Sequence, residues 1–185
     1  MNENTIQNNN STRAPAVVVG VDGSPGARAA LRWALREARL RNSSVRAVHA
    51  WTFGYIGGYP YWGPGPSIGS YTSLGVDLND LHRAAEGLLD RALAEVEDEA
   101  EGLEIERQVI QGPAAEVLVQ AASPYDLLVV GSRGHGGFTG LMLGSVSQQC
   151  VHHAHCPVVV VHSPLSTAAG REPAAVAQTE SPAAA

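Results

Sequence analysis

Short, continuous runs of apolar residues, separated by helical patterns, constrain the fold of this chain more than any other feature. Residues 16–21 form the first run, and residues 127–130 and 157–161 form two more. Consecutive apolar residues, rather than alternating ones, are typical of strands that are buried on both faces. The runs therefore predict a parallel sheet with a layer of helices on each side.

The segments between these runs complete a regular alternation of strands and helices. Residues 45–51 predict a second strand, and the alternating segment 104–110 predicts a third, more peripheral strand. Helical patterns occupy residues 25–42, 78–96, 113–122 and 145–153. Five strands joined by helices indicate an α/β fold with a five-stranded parallel sheet. Ligands of such sheets bind beyond the carboxyl ends of the strands, where the strand order reverses.

The helix boundaries have local signals. Ser24 and Pro25 predict an N-cap and a first helical residue, and Asn42 or Ser43 ends that helix. The long helix over residues 78–96 is amphipathic, and we interpret the acidic run between Glu95 and Glu101 as its solvated far face.

Composition divides the chain into one folded domain and two tails. Residues 1–14 are polar and rich in Asn, and residues 163–185 are rich in Ala, Pro and Ser. Neither segment buries enough apolar surface to offset the entropy of ordering, so both are predicted to be disordered. The domain spans residues 15–162 and is interrupted by a long Gly-, Tyr- and Pro-rich loop over residues 52–76.

The charge pattern excludes several classes of function. All 12 basic residues are Arg, so the lysine of a Walker phosphate loop and Schiff-base chemistry are both excluded. A net charge of -6 without a basic stripe argues against nucleic-acid binding. No apolar run approaches the ~20 residues of a membrane span. The two cysteines form no disulfide framework and no leader segment is visible, so we expect a cytoplasmic protein.

A glycine-rich stretch over residues 131–147 is the strongest functional signal. It follows the fourth predicted strand and leads into a helix that begins at Ser145. Glycines let backbone N–H groups approach an anion closely, and a helix N-terminus adds unpaired donors and a positive dipole end. Gly144 and Ser145 could supply such donors, the hydroxyls of Ser145 and Ser147 could add hydrogen bonds, and Arg133 and His135 could add charge. The loop after the first strand, with Asp22 and Ser24, is the second candidate binding segment.

The spacing Gly131-x2-Gly134-x9-Gly144-Ser145 resembles the nucleotide-binding signature of the universal stress protein family. Residues 17–24, 48–50, 112–113 and 156–161 are also similar to segments of that family. The resemblance implies a Rossmann-like sheet in the order 3-2-1-4-5, ATP binding, and a homodimer. The apolar last strand, from Pro157 to Val161, would pair with its copy across the dimer, because an unpaired apolar edge is a liability.

The resemblance also implies roles for individual residues. Asp22 would contact the ribose region, with the backbone of Gly20 and Val21 nearby, while Ala50 would read the adenine edge and Gly112 would lie near the base or ribose. The residues expected around the phosphates are Gly131, Arg133, Gly134, His135, Gly144, Ser145, Val146 and Ser147. Mg²⁺ would bridge phosphate oxygens and keep most of its waters.

Several alternatives stay open. Loop 52–76 holds Tyr55, Tyr59, Tyr61, Trp62 and Tyr71, and is either a lid that stacks near the base or a variable surface loop. The Cys and His residues between Cys150 and Cys156 suggest zinc, but their spacing matches no known zinc pattern, and a structural interpretation is favoured. His49 is expected to be packed rather than catalytic, and Asp126 to be a turn or cap residue. A dinucleotide-binding site is disfavoured, because the glycine pattern and the acidic residue that it requires are absent.

The expected function is binding of an adenine nucleotide, with a sensing or sequestering role in the stress response. A slow ATP hydrolase on the same scaffold is the alternative. Hydrolysis needs a group that orients water at the γ-phosphate, and Arg133 and His135 are the candidates for it. They do not form a nucleophile–base pair, which favours a binding protein over an efficient enzyme. A dimeric adaptor without nucleotide is disfavoured by the intact glycine motif.

Overall fold

The protein is built around one five-stranded parallel sheet, in a computed structural model that describes residues 14–52, 78–135 and 142–163. The strands are β1 (Ala16–Gly20), β2 (Ser44–Trp51), β3 (Ile105–Gln111), β4 (Leu127–Gly131) and β5 (Val158–Val161). Their order in the sheet is β3-β2-β1-β4-β5, and every pairing is parallel. The α/β fold and the predicted strand order are therefore confirmed, and the order reverses between β1 and β4.

Helices cover both faces of the sheet, as predicted. Helices α1 (Pro25–Arg41) and α2 (Leu78–Ala94) pack on one face, and α4 (Ala114–Ala121) and α5 (Ser145–His153) pack on the other. The first core lies between the sheet and α1 and α2, and the second core lies between the sheet and α4 and α5. Along β1, Val17 and Val19 belong to the first core, and Val18 belongs to the second. Because each central strand buries both of its faces, its sequence is a continuous apolar run.

The start and end of α1 follow their local sequence signals. The Ser24 hydroxyl accepts a hydrogen bond of 3.1 Å from the backbone N–H of Ala27, which confirms Ser24 as the N-cap. At the other end Asn42 adopts a left-handed conformation (φ 51°), which stops the helix. Asn is one of the few residues other than Gly that tolerates this conformation.

The acidic segment after α2 differs from its prediction. α2 ends at Ala94, and a separate short helix, α3 (Glu97–Ala100), carries part of the acidic run. The chain leaves the helical conformation at Val96 (φ -126°, ψ 18°), because the side chain of Val96 turns into the core, where it is 2% exposed. The acidic residues are therefore not the far face of one long helix.

A buried arginine lies at the amino-terminal edge of the sheet. Arg46, on β2, is 1% exposed, and its Nε donates to Glu106 at 2.7 Å. Its Nη1 donates to the carbonyl oxygen of Ala121 at 2.9 Å and to Asp126 at 3.3 Å. Burial alone would raise the pKa of Glu106, but hydrogen bonds from Arg46 and Gln108 and the charge of Arg46 lower it overall. Charged side chains thus tie β2, β3 and the start of β4 together.

Asp126 is the turn residue that its position predicted. Its carboxylate accepts from the backbone N–H of Ser123 at 2.8 Å. It also accepts from the N–H of Ala16 at 2.8 Å, at the start of β1, and from Arg46. The turn residue is therefore also a buried partner of two strands.

Some predictions concern residues outside the described part. They are the disorder of the two tails, the role of loop 52–76 beyond Thr52, and the middle of the glycine-rich stretch at residues 136–141. Among the helices that are described, none has both the length and the apolar character required to cross a bilayer.

Candidate functional site

The loops after β1 and β4 meet at the carboxyl-terminal edge of the sheet, where the strand order reverses. A Cβ atom added to Gly134 would overlap with Oδ2 of Asp22. The Nε2 atom of His135 lies 2.9 Å from the carbonyl oxygen of Asp22. A carbonyl oxygen only accepts, so the ring donates this hydrogen bond. The two segments that the sequence singled out are therefore in direct contact.

Two glycines allow the start of α1 to pack directly on the backbone that ends β4. A Cβ atom on Gly26 would overlap with the carbonyl oxygen of Arg133, and one on Gly131 would lie 2.6 Å from the carbonyl carbon of Gly26. Any larger residue at either position forces the two backbones apart. Gly26 was not among the residues expected at the site, although it follows Pro25 in the first turn of the helix.

The start of α5 is attached to the same loop. The backbone N–H of Gly144 donates to the carbonyl oxygen of Ser132 at 2.7 Å. The Ser147 hydroxyl is buried and lies 3.1 Å from that same oxygen and 2.9 Å from the carbonyl oxygen of Gly144. These contacts correct the expectation that the Gly144 N–H and the Ser147 hydroxyl face an anion, because both groups are used to join α5 to the β4 loop.

The first turn of α5 presents the groups that remain for an anion. Ser145 is exposed, Val146 is half-buried, and in the described part no side chain caps this helix at Gly144. By contrast, Ser24 caps α1. The N–H groups of the first helical turn have no intrahelical acceptor and lie at the positive end of the dipole. Exposed Arg133 lies on the loop against which Gly144 packs.

The loop after β1 is held by side chains from three different elements. The Nδ1 atom of His49, on β2, lies 2.7 Å from the carbonyl oxygen of Val21. His135 donates to the next carbonyl, that of Asp22, and Nη1 of Arg28 donates to the following one, that of Gly23, at 2.9 Å. His49 is 8% exposed, so it is packed, as expected, but the sequence did not reveal its hydrogen bond. Three consecutive carbonyl groups of this loop are thus held by side chains of the chain itself.

The residues expected near the base lie further along the same edge. Gly112 has a φ of 153°, and its N–H donates to the carbonyl oxygen of Trp51 at 2.9 Å. Gly20 packs against Leu118, whose Cδ1 would lie 2.9 Å from an added Cβ. Ala50 is half-buried at the end of β2 and contributes to the second core. The parallel strands bring these residues to the edge that holds Asp22.

The two cysteines of segment 150–156 are at least partly buried. Burial, and to a lesser degree the nearby Cys156, raises the pKa of the Cys150 thiol to about 11. Burial also raises the pKa of Cys156. Neutral thiols are poor metal ligands and poor nucleophiles. Among the residues that the structure describes, no group of three His, Cys, Asp or Glu side chains could hold a metal ion.

Comparison with known proteins identifies the family of this chain. Residues 15–162 match the model of the universal stress protein family. The chain belongs to that family. Universal stress protein Rv2005c of Mycobacterium tuberculosis is 35% identical over 144 residues, which are 78% of this chain and 44% of that protein. The chain thus spans less than half the length of this curated relative.

Two solved structures match most of this chain. A universal stress protein in complex with cAMP is 25% identical, with a TM-score of 0.57, and the match covers 81% of this chain and 98% of that one. The hypothetical protein MJ0577 is 22% identical, with a TM-score of 0.64 and coverage of 82% and 98%. The second match bears on the fold alone.

Proposed function

We propose that this universal stress protein binds an adenine nucleotide in the crevice between the loops after β1 and β4. The observation that carries the proposal is the meeting of three features at one point. Asp22 packs against Gly134, the start of α1 packs against Arg133, and the uncapped start of α5 packs against the same loop. A relative of the same fold was solved in complex with cAMP, which supports an adenine nucleotide as the ligand.

The chemistry of the crevice suggests an orientation for the nucleotide. The Asp22 carboxylate accepts from the N–H of Ser24 at 2.9 Å and has further lone pairs for the hydroxyl groups of a ribose. The N–H groups of Ser145 and Val146, the Ser145 hydroxyl and Arg133 suit phosphate oxygens. We place the base toward Ala50 and Gly112, and the phosphates between Gly134 and the start of α5.

ATP with Mg²⁺ is the nucleotide form that we propose. Among the described residues, no group of three or more His, Cys, Asp or Glu side chains is placed to hold a metal ion. Magnesium bound to a nucleotide commonly keeps several waters and is held mainly by phosphate oxygens. The ion would therefore neutralise phosphate charge, and the residues of the crevice would contact the phosphates directly.

Binding, rather than rapid hydrolysis, is the activity that these residues support. Of the two groups considered for orienting water, His135 uses Nε2 to hold the Asp22 carbonyl, and Arg133 is exposed at the crevice. We propose a nucleotide-dependent sensor or sequestering protein in the cytoplasm. Single-turnover ATP hydrolysis by the parent and by Arg133→Ala tests the hydrolase alternative. A rate that depends on Arg133 would favour the enzyme.

We also propose a homodimer that forms through β5. This strand lies at an edge of the sheet, and all four of its valines are only half-buried within one chain. Pairing with a second copy would bury the apolar edge. Light scattering after size exclusion is expected to give twice the chain mass, and a monomer at micromolar concentration would contradict the dimer.

The ligand itself can be identified from the purified protein. Gentle purification followed by denaturation and mass spectrometry is expected to release an adenine nucleotide in an amount comparable with that of the protein. If a folded preparation carries a different class of small molecule in that amount, the proposed ligand is wrong.

A further inference from the structure

The Asp22 carboxylate is oriented through the peptide group that joins Gly23 to Ser24. The N–H of this peptide, on Ser24, donates to Oδ1 of Asp22 at 2.9 Å. The carbonyl of the same peptide, on Gly23, accepts from Nη1 of Arg28 at 2.9 Å. Because a peptide group is planar, a side chain that fixes the carbonyl also fixes the direction of the N–H. Arg28 is thus linked to the carboxylate through one rigid unit.

Arg28 is itself held in place from the other side. Its Nε lies 3.7 Å from Oε2 of Glu95, in the segment between α2 and α3. The side chain of Arg28 is 37% exposed and that of Glu95 is 50% exposed, so this ion pair adds little to stability. The guanidinium of Arg28 therefore lies between the Glu95 carboxylate and the Gly23 carbonyl oxygen.

Gly23 is the part of the loop that most needs such support. It has a φ of 81°, a conformation that glycine adopts at no steric cost but also leaves easily. Without a donor on its carbonyl, the Gly23–Ser24 peptide can rotate, and the N–H that holds Asp22 rotates with it.

We propose that Arg28 is a positioning residue of the nucleotide site, acting through the Gly23–Ser24 peptide to set the Asp22 carboxylate toward the ribose. This inference rests on the proposed function and extends it to a residue outside the glycine-rich motif. Arg28 does not contact the nucleotide in this account. It lowers the entropic cost of binding, because it restricts the Gly23–Ser24 peptide to one orientation.

Arg32 provides a matched control for Arg28. It lies one turn further along α1, and its Nε donates to Glu99 at 2.7 Å in a similarly exposed ion pair. Arg28→Gln and Arg32→Gln each remove one charge and one ion pair from the same helix. Only the first removes the donor to Gly23.

The test combines ATP titration calorimetry with the backbone amide signal of Ser24 in ligand-free protein. Arg28→Gln is expected to move the Ser24 signal and to weaken ATP binding roughly three- to tenfold. Its thermal unfolding midpoint is expected to equal that of Arg32→Gln. Arg28→Lys, which keeps a donor within reach, is expected to recover part of both. Arg32→Gln is expected to change neither.

Two results would overturn the inference. One is equal ATP affinity in Arg28→Gln and Arg32→Gln, and the other is an unmoved Ser24 signal in Arg28→Gln. If the parent protein binds no adenine nucleotide, the proposed function is wrong. In that case, the backbone amide signal of Ser24 in Arg28→Gln still shows whether Arg28 orients the Gly23–Ser24 peptide.

Discussion

The Nε2 atom of His135 lies 2.9 Å from the carbonyl oxygen of Asp22, so a side chain that follows β4 holds the loop that follows β1. The ring donates to the protein itself at the position where the family resemblance implied a phosphate contact. His135 is exposed, so this hydrogen bond faces solvent at the mouth of the crevice. Holding the loop, rather than touching phosphate, is the role that this contact supports.

His135→Ala is therefore expected to weaken the binding of AMP and the binding of ATP by the same factor. The loss of one hydrogen bond, worth about 1 kcal/mol, corresponds to roughly a fivefold change in affinity. Calorimetric titration of both nucleotides measures it. A loss confined to ATP would instead assign His135 to the outer phosphates.

Of two serines in α5, we expect Ser147 to contribute to the stability of the fold and Ser145 to contribute to nucleotide binding. The Ser147 hydroxyl is buried between two carbonyl oxygens, whereas Ser145 is exposed. Ser147→Ala should lower the free energy of unfolding by about 1 kcal/mol. Ser145→Ala should leave unfolding nearly unchanged and weaken ATP binding. Urea denaturation and ATP titration of both variants compare them, and equal destabilisation would contradict this assignment.

Gly26→Ala is expected to destabilise the protein although it lies in a helix. Alanine is favoured over glycine in helices by about 1 kcal/mol. At Gly26, however, the added Cβ overlaps with the carbonyl oxygen of Arg133, and the backbone there cannot move away cheaply. Gly87→Ala is the control, because its Cβ would lie 3.3 Å from the flexible end of Arg91. Compared with the parent, Gly26→Ala should have a lower thermal unfolding midpoint, and Gly87→Ala an equal or higher one. The reverse order would contradict the close packing of Gly26 on the backbone of Arg133.

Replacing the buried Arg46 should lower the free energy of unfolding far more than replacing the partly exposed Arg32. Arg46→Met leaves Asp126, whose side chain is 1% exposed, without its buried cationic partner. Breaking a buried pair in this way costs about 3–5 kcal/mol. Arg32→Met removes an exposed pair with Glu99 and should cost less than about 1 kcal/mol. Urea unfolding of the two variants measures the difference, and similar losses would show that Arg46 is not a major stabilising residue.

The fold could be predicted from the sequence because its signals are local. A valine run such as Val17–Val19 reports burial on both faces within a few residues, and Ser24 and Asn42 mark the ends of α1 through contacts within their own turns. The break at Val96 could not be predicted in this way. The helical pattern includes Val96, and only the position of the core shows that its side chain must turn inward.

The candidate site could be predicted in outline but not in its contacts. The glycine spacing indicated Gly134 and Gly144, and the alternation of strands indicated Asp22. The partners of Ser147 and His135 depend on where distant backbone carbonyls lie, which no local pattern encodes. Arg28 and Arg46 were missed, although a charged residue inside the apolar strand 45–51 is a signal that could have indicated Arg46.

Titration calorimetry of the folded parent with ATP and AMP, beside Gly134→Val, tests the central claim most directly. In this variant the new side chain takes the place of Oδ2 of Asp22, and Gly87→Ala serves as the control. We expect the parent and the control to bind each nucleotide with equal affinity. Gly134→Val is expected to keep its fold and to bind at least roughly fivefold more weakly, since such a clash costs about 1–3 kcal/mol. No binding of either nucleotide by the parent, or unchanged binding by Gly134→Val, would contradict the account.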